Sequence, residues 1–287
     1  MPAPEQQARA VRFDRYGDRS VLYVADVPTP RPAAGEVLVE VRAAGINPGE
    51  TAIRTGELHD RFPAIFPSGQ GSDLAGIVIA AGEGVTDFVP GEVLGYSWRR
   101  SSHATHVAVP VAQLIRKPEA LGWAAAGSLY VAACTAWAAV DAVAPQPGET
   151  VAVSAAAGGV GSIVVQLLRV RGAHVLGIAS TANASWLTAH GATAVPYGDR
   201  LAADLTAAAP QGIDAFIDLF GPEYSTSPSI WESRRTGSKR SSPSSRRRGS
   251  VPRARAAWTV PAARFSPRWP NSWRATVSRS RSPPPTP

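Results

Sequence analysis

The sequence predicts an α/β chain with a β-rich N-terminal domain, followed by an incomplete open parallel sheet and a disordered tail. Three observations predict it. Short β-prone runs broken by Gly and Pro fill the chain as far as Leu114, strand and helix periods alternate from Thr150 to Leu219, and after Gly221 both periods stop. The expected divisions are residues 1–122, 123–221 and 222–287.

The β-prone runs of the first domain are Ala10–Phe13, Val37–Ala43, Gly76–Ala81, Glu92–Gly95 and His106–Val109. Within them EVLVEV at Glu36–Val41 alternates as a half-solvated strand does, and GEGVTDFVPG at Gly82–Gly91 reads as a tight reversal. An alanine-rich helical linker or pair of helices is expected from Trp123 to about Val143, and Pro145 and Pro147 stop it. Strands are then expected at Thr150–Ser154, His174–Ala179, Thr193–Pro196 and Ala215–Leu219. Helices are expected at Val160–Arg171, Ala184–His190 and Leu201–Ala208. Apolar strands separated by helices fit a parallel sheet covered on both faces, with right-handed crossovers.

The chain has 287 residues and a net charge of +7, but the charge is not shared. Residues 1–220 carry 15 basic and 20 acidic side chains, whereas residues 221–287 carry 14 basic and 2 acidic. That last segment also holds 15 Ser and 11 Pro, a composition with too little to bury for a packed core. The single cysteine, Cys134, excludes an internal disulfide framework. No apolar run reaches membrane-spanning length and the first 30 positions lack a continuous apolar core, so a cytoplasmic protein without a membrane span is expected.

The strongest chemical signal is TVAVSAAAGGVG at Thr150–Gly161. A strand ends, small residues permit a sharp turn, and Gly158, Gly159 and Gly161 let the backbone approach a pyrophosphate at the N-terminus of the next helix. A glycine cluster alone is also what a tight turn requires; the flanking strand and helix favour dinucleotide binding. At the end of the second strand, Ala179, Ser180 and Thr181 stand where an NAD-selective site offers an acid to the ribose. Without that acid nothing repels a 2′-phosphate, which favours NADP, although an ordinary polar loop has the same residues.

These motifs, together with AAGINPGE at Ala43–Glu50, IRTG at Ile53–Gly56, FPSGQGSDLAGIV at Phe66–Val78 and HGATAVPYGD at His190–Asp199, resemble the medium-chain dehydrogenase/reductase superfamily, in its zinc-independent NADPH:quinone oxidoreductase branch. The resemblance covers residues 9–221. It implies a GroES-like catalytic domain and a Rossmann cofactor domain. It further implies Asn47 near nicotinamide and substrate, Thr135 in the cofactor cleft, contacts from Gly158, Gly159 and Val160, and Ser180, Asn183 and Tyr197 near the adenosine 2′-phosphate. Many members carry Lys or Arg where this chain has Asn183. From the residues alone, Tyr197 is equally a packing side chain after a strand. Intact members of the branch are implied to be homodimers.

Zinc-dependent relatives need a cysteine and a histidine for a catalytic ion and four close cysteines for a structural one. Here Gly71–Ser72–Asp73 stands where they have Gly-His-Glu, and one cysteine excludes the four-cysteine site. His103 and His106 are three apart at the start of a strand, a spacing that separates them onto opposite faces. No metal is expected. Lys117 is the only lysine before residue 239, so a Tyr-Lys proton relay is not evident either. A conjugated carbonyl, a quinone or enone, is the expected small-molecule substrate, with Asn47 in polar positioning and solvent supplying the last proton.

The expected parallel pattern supplies four strands where a complete Rossmann sheet has six. The abrupt change after Gly221 is what reading a GC-rich coding region in another frame produces, with the shift near residues 222–226. Loss of the second half is expected to leave the fourth strand with an uncovered edge and to give poor solubility or weak activity. Alternatives are a zinc-free enoyl-thioester reductase, a noncatalytic dinucleotide-binding protein, and nucleic-acid binding through the basic tail. The tail lacks a recognition helix, zinc finger or ordered basic–aromatic alternation, so no specific nucleic acid is expected.

Overall fold

In the computed structural model the described residues are 7–87 and 90–220, with the backbone of 276–279. They fall into two compact units, one through Ala132 and one from Ala133.

The first unit contains, in chain order, β1 (Gln7–Phe13), β2 (Tyr23–Pro28), β3 (Glu36–Ala43), α1 (Pro48–Thr55), β4 (Ser68–Gly69), β5 (Asp73–Ala81), β6 (Glu92–Tyr96), β7 (His106–Pro110), β8 (Leu114–Arg116) and α2 (Trp123–Gly127). Two antiparallel sheets result, of order β2-β1-β4 and β7-β3-β5-β6-β8. Alternation in β3 and β7 turns Val37, Val39, Val107 and Val109 inward, where they meet Leu74, Val78, Val93 and Leu114. The β-rich expectation therefore holds, with β2, β4 and β8 added to the runs read from the sequence. α1 is also additional: Pro48 pre-sets the first helical turn and Gly56, at φ 89°, ends the helix in the left-handed region open to glycine.

Of the linker or pair of helices expected from Trp123 to about Val143, the structure has the pair, α2 and α3 (Leu129–Val143), broken at Ser128. The second unit then runs β9 (Thr150–Val153), α4 (Gly161–Val170), β10 (His174–Ala179), α5 (Ala184–Ala189), β11 (Thr193–Pro196), α6 (Leu201–Ala208) and β12 (Ala215–Asp218). β11, β10, β9 and β12 are parallel and lie in that order. Their period of two divides the core. Val151, Val153, Val175 and Ile217 pack with Val164 and Leu168 of α4 on one face, while Ala152, Leu176, Ile178 and Phe216 pack with Leu201 and Leu205 of α6 on the other. Burial on both faces is why these strands read as apolar runs.

The expected bare edge of the fourth strand is corrected. β13 (Thr276–Arg279) lies antiparallel beside β12, with Ala215 opposite Arg279 and Asp218 opposite Thr276. A short β-compatible stretch is enough for this, because edge pairing uses backbone groups that any non-proline residue supplies. The rest of the expected disordered tail, with the frame change placed at residues 222–226, lies outside the described residues. Among the described residues no helix is long and apolar enough to cross a membrane.

Candidate functional site

In the first unit a polar cluster gathers at the N-terminus of α1. Asn47 precedes the helix, and its backbone N–H donates to Glu50 Oε2 at 3.1 Å, the reciprocal arrangement of a capping box. Its side-chain Nδ2 donates to Glu50 Oε1 at 3.3 Å and to Asp73 Oδ2 at 3.1 Å. Asp73 is wholly buried at the start of β5, and its Oδ1 accepts from Val131 N at 2.8 Å. Glu50, also buried, accepts from Ser72 N at 2.8 Å. His103 Nε2 lies 2.8 Å from Gly45 O, to which it donates, and 3.8 Å from Glu50 Oε2.

Burial pushes the Asp73 carboxyl up to about 6, against the hydrogen bonds from Val131 and Asn47 that favour its charged form. Burial likewise pushes the Tyr96 phenol up to about 12. Tyr96 stacks on Tyr130 with ring centroids 5.8 Å apart. On the outer side of α1, Asn47 borders an open depression of about 720 Å³ whose lining also includes Ile46, Thr51, Ala52 and Leu58. Asn47 was readable as a candidate; Glu50 and Asp73 were missed as its partners, and so was His103 beside Glu50. Glu50 at the third helical position was the available signal, whereas nothing in sequence spacing brings Asp73 or His103 to it.

In the second unit the glycine turn follows β9. Ala155 sits at φ 47°, a strained position for a residue with a Cβ, and Ala155 O accepts from Gly158 N at 2.9 Å. A Cβ on Gly161 would stand 2.1 Å from Ala155 O, so only glycine allows the first turn of α4 to pack this closely. A Cβ on Gly159 would meet nothing within 4 Å. Among the described residues the N–H groups of Gly159 and Val160 donate to no backbone carbonyl. Uncommitted amides beside open space at a helix N-terminus fit a pyrophosphate.

Ser180 and Asn183 come together after β10: Asn183 Nδ2 donates to Ser180 Oγ at 3.1 Å. Tyr197 N donates to Ala179 O at 3.3 Å, which sets Tyr197 at the same carboxyl end of the sheet. Tyr197 is 57% exposed. Thr135 lies half-buried on α3. Among the described residues no three His, Cys, Asp or Glu side chains are grouped to hold a metal ion.

Residues 33–148 match the model of the alcohol dehydrogenase GroES-like domain. The rat quinone oxidoreductase is 32% identical over 228 residues, covering 76% of this chain and 68% of that protein. The chain belongs to the quinone oxidoreductase family. The Escherichia coli quinone oxidoreductase, solved in complex with NADPH, resembles this family member with a TM-score of 0.65 and 26% identity, over 72% of this chain and 64% of that one. The solved CurK enoyl reductase resembles it with a TM-score of 0.71 and 25% identity, over 79% and 71%. Against the mouse and fission-yeast relatives, this quinone oxidoreductase family member spans only 55% and 64% of their lengths.

Proposed function

We propose that this chain is an NADPH-dependent oxidoreductase that transfers hydride to a quinone or related conjugated carbonyl, with residues 1–122 as the catalytic domain and 123–221 as the cofactor domain. The single observation that carries the reading is the turn at Ala155–Gly161, where a strained residue and a glycine that tolerates no Cβ hold uncommitted backbone amides at the start of α4.

In this reading Gly159 and Val160 hold the pyrophosphate through backbone amides and the dipole of α4, and Gly158, whose N–H turns back to Ala155 O, lets the backbone approach it. Ser180, Asn183 and Tyr197 surround the 2′-phosphate. The Ser180 hydroxyl already accepts from Asn183, so its own proton is directed outward as a donor. Thr135 lines the cofactor cleft. When bound, the cofactor supplies the hydride. Asn47 orders the ligand through its side chain, and the final proton comes from solvent.

The proposed assembly is a homodimer, as for intact relatives, and the proposed location is the cytoplasm, which suits a chain with one cysteine. The test is NADPH oxidation by the full chain with 1,4-benzoquinone, an enone and an enoyl thioester as acceptors. Preferential turnover of the quinone or enone supports the reading. Preferential turnover of the thioester replaces it with enoyl-thioester reduction, and cofactor binding without any turnover replaces it with a noncatalytic role.

A further inference from the structure

A phenol hydroxyl both donates and accepts, and what takes its lone pair decides where its proton goes. In the first unit the backbone N–H of Ala64 donates to Tyr16 Oη at 2.9 Å. An amide N–H can only donate, so the hydroxyl proton is left for the other neighbour, His59 Nδ1, at 2.7 Å. Neutral His59 therefore accepts at Nδ1 and carries its proton on Nε2. The Tyr16 ring also stands edge-on to His59 and to Phe66, with centroids 5.5 Å and 5.1 Å apart. One side chain from the segment between β1 and β2 thus holds residues 59, 64 and 66 of the chain that follows α1.

That chain walls the open depression beside α1. Glu57 and Leu58 are the lining residues that come after the helix, and His59 is the next residue along. Leu58 N donates to Ala52 O at 3.2 Å, and Leu58 O accepts from Phe62 N at 2.8 Å. Arg100 fixes the following residues by donating to Phe62 O at 3.4 Å and Pro63 O at 3.0 Å. Ile46, Pro48, Ala52 and Leu58 give the depression apolar surface, and Glu57 is the only charged residue in its lining. Such a lining suits an uncharged ring and opposes an anion. We infer that Tyr16 is a positioning residue for the electron acceptor: by holding His59 and Ala64 it fixes the Glu57–Leu58 wall and so sets how tightly an uncharged quinone ring binds in the depression. The ligand class rests on the quinone-reductase reading; the hydrogen bonds of Tyr16 do not.

The test is binding of duroquinone to the isotopically labelled full chain, followed by NMR through the methyl resonances of Leu58 and Ala52. This quinone has no free ring position for a thiol to attack, and its binding is read without turnover. Saturable shifts of both resonances are expected in the wild type. Tyr16→Phe keeps the ring and loses the hydroxyl, and is expected to raise the dissociation constant roughly threefold. Tyr23→Phe removes a hydroxyl that donates to Asp14 Oδ1 at 2.8 Å, away from the lining, and is expected to change nothing. His59→Ala leaves the phenol without its acceptor; it is expected to weaken binding as well, and it decides if Tyr16→Phe does not fold. In NADPH oxidation the Tyr16→Phe loss is expected in KM for duroquinone with kcat unchanged. No shift at Leu58 in the wild type, unchanged affinity in Tyr16→Phe, or an equal loss in Tyr23→Phe overturns the inference. If duroquinone binds and Tyr16→Phe weakens it while NADPH is not oxidised, the reductase reading fails and the role of Tyr16 in ring binding stands.

Discussion

Ser154 Oγ donates to Asp218 Oδ1 at 2.6 Å, joining the carboxyl ends of β9 and β12 on either side of the point where the strand order reverses. The same hydroxyl accepts from Leu219 N at 2.8 Å and Phe220 N at 3.2 Å. Both side chains are buried, so this small network ties β9 to β12 at the end of the sheet from which the glycine turn leaves.

Ser154→Ala removes one donor and two acceptor contacts in a dry site. It is expected to lower stability by about 2 kcal/mol, read as a lower urea midpoint with an unchanged slope. A midpoint within error of the wild type contradicts the role given to this hydroxyl.

The two glycines of the turn are expected to separate folding from binding. Gly161→Ala drives a Cβ into Ala155 O and lowers the melting temperature, whereas Gly159→Ala places its Cβ in open space and leaves that temperature unchanged. Gly159→Ala nevertheless weakens NADPH, because the methyl group occupies the approach of the pyrophosphate. Thermal unfolding and cofactor titration of both variants check this; unchanged affinity in Gly159→Ala counts against the pyrophosphate site.

Ser180 and Asn183 govern the choice between cofactors in this account. Asn183→Lys adds a cation beside the 2′-phosphate and is expected to raise the preference for NADPH over NADH roughly tenfold. Ser180→Asp adds an acceptor for the ribose hydroxyls, repels the phosphate and is expected to reverse the preference. Ratios of dissociation constants for the two cofactors decide, and a ratio indifferent to both changes removes these residues from the site.

Asp73 also contributes a defined pH dependence to stability. Its folded-state value of about 6 lies above the ordinary 3.8, so between these two values the folded chain binds more protons than the unfolded one. Stability therefore falls as pH rises through this window, by an amount on the order of 3 kcal/mol for a shift of this size. Asp73→Asn is expected to flatten that part of the profile in urea unfolding. A wild-type stability that rises across the same window contradicts the burial argument.

The parallel sheet was the most legible part of the chain because β9, β10 and β12 are buried on both faces and α4 turns Val164, Val165 and Leu168 into the core. His174–Ala179, Thr193–Pro196 and Leu201–Ala208 occur at the expected bounds. The N-terminal unit was less legible. β2 carries a mixed sequence and is fixed by its register against β1, with Val24 opposite Val11. α1 had all its signals, with Asn47 before it, Pro48 at its first turn and Gly56 after it, but its eight residues are too few for periodicity to stand out. The glycine turn was readable because its chemistry is local. The Asn47–Asp73 pair was not, because 26 residues and a sheet crossing separate the partners. β13 escaped for a different reason: pairing along an edge leaves almost no mark on side-chain pattern.

The most direct measurement is the nicotinamide absorbance of NADPH mixed with 1,4-benzoquinone, with and without the full chain. The account predicts protein-dependent oxidation that saturates with NADPH, is weaker with NADH and is lost in Gly159→Ala. Oxidation at the same rate with and without protein, or unchanged in Gly159→Ala, would contradict it.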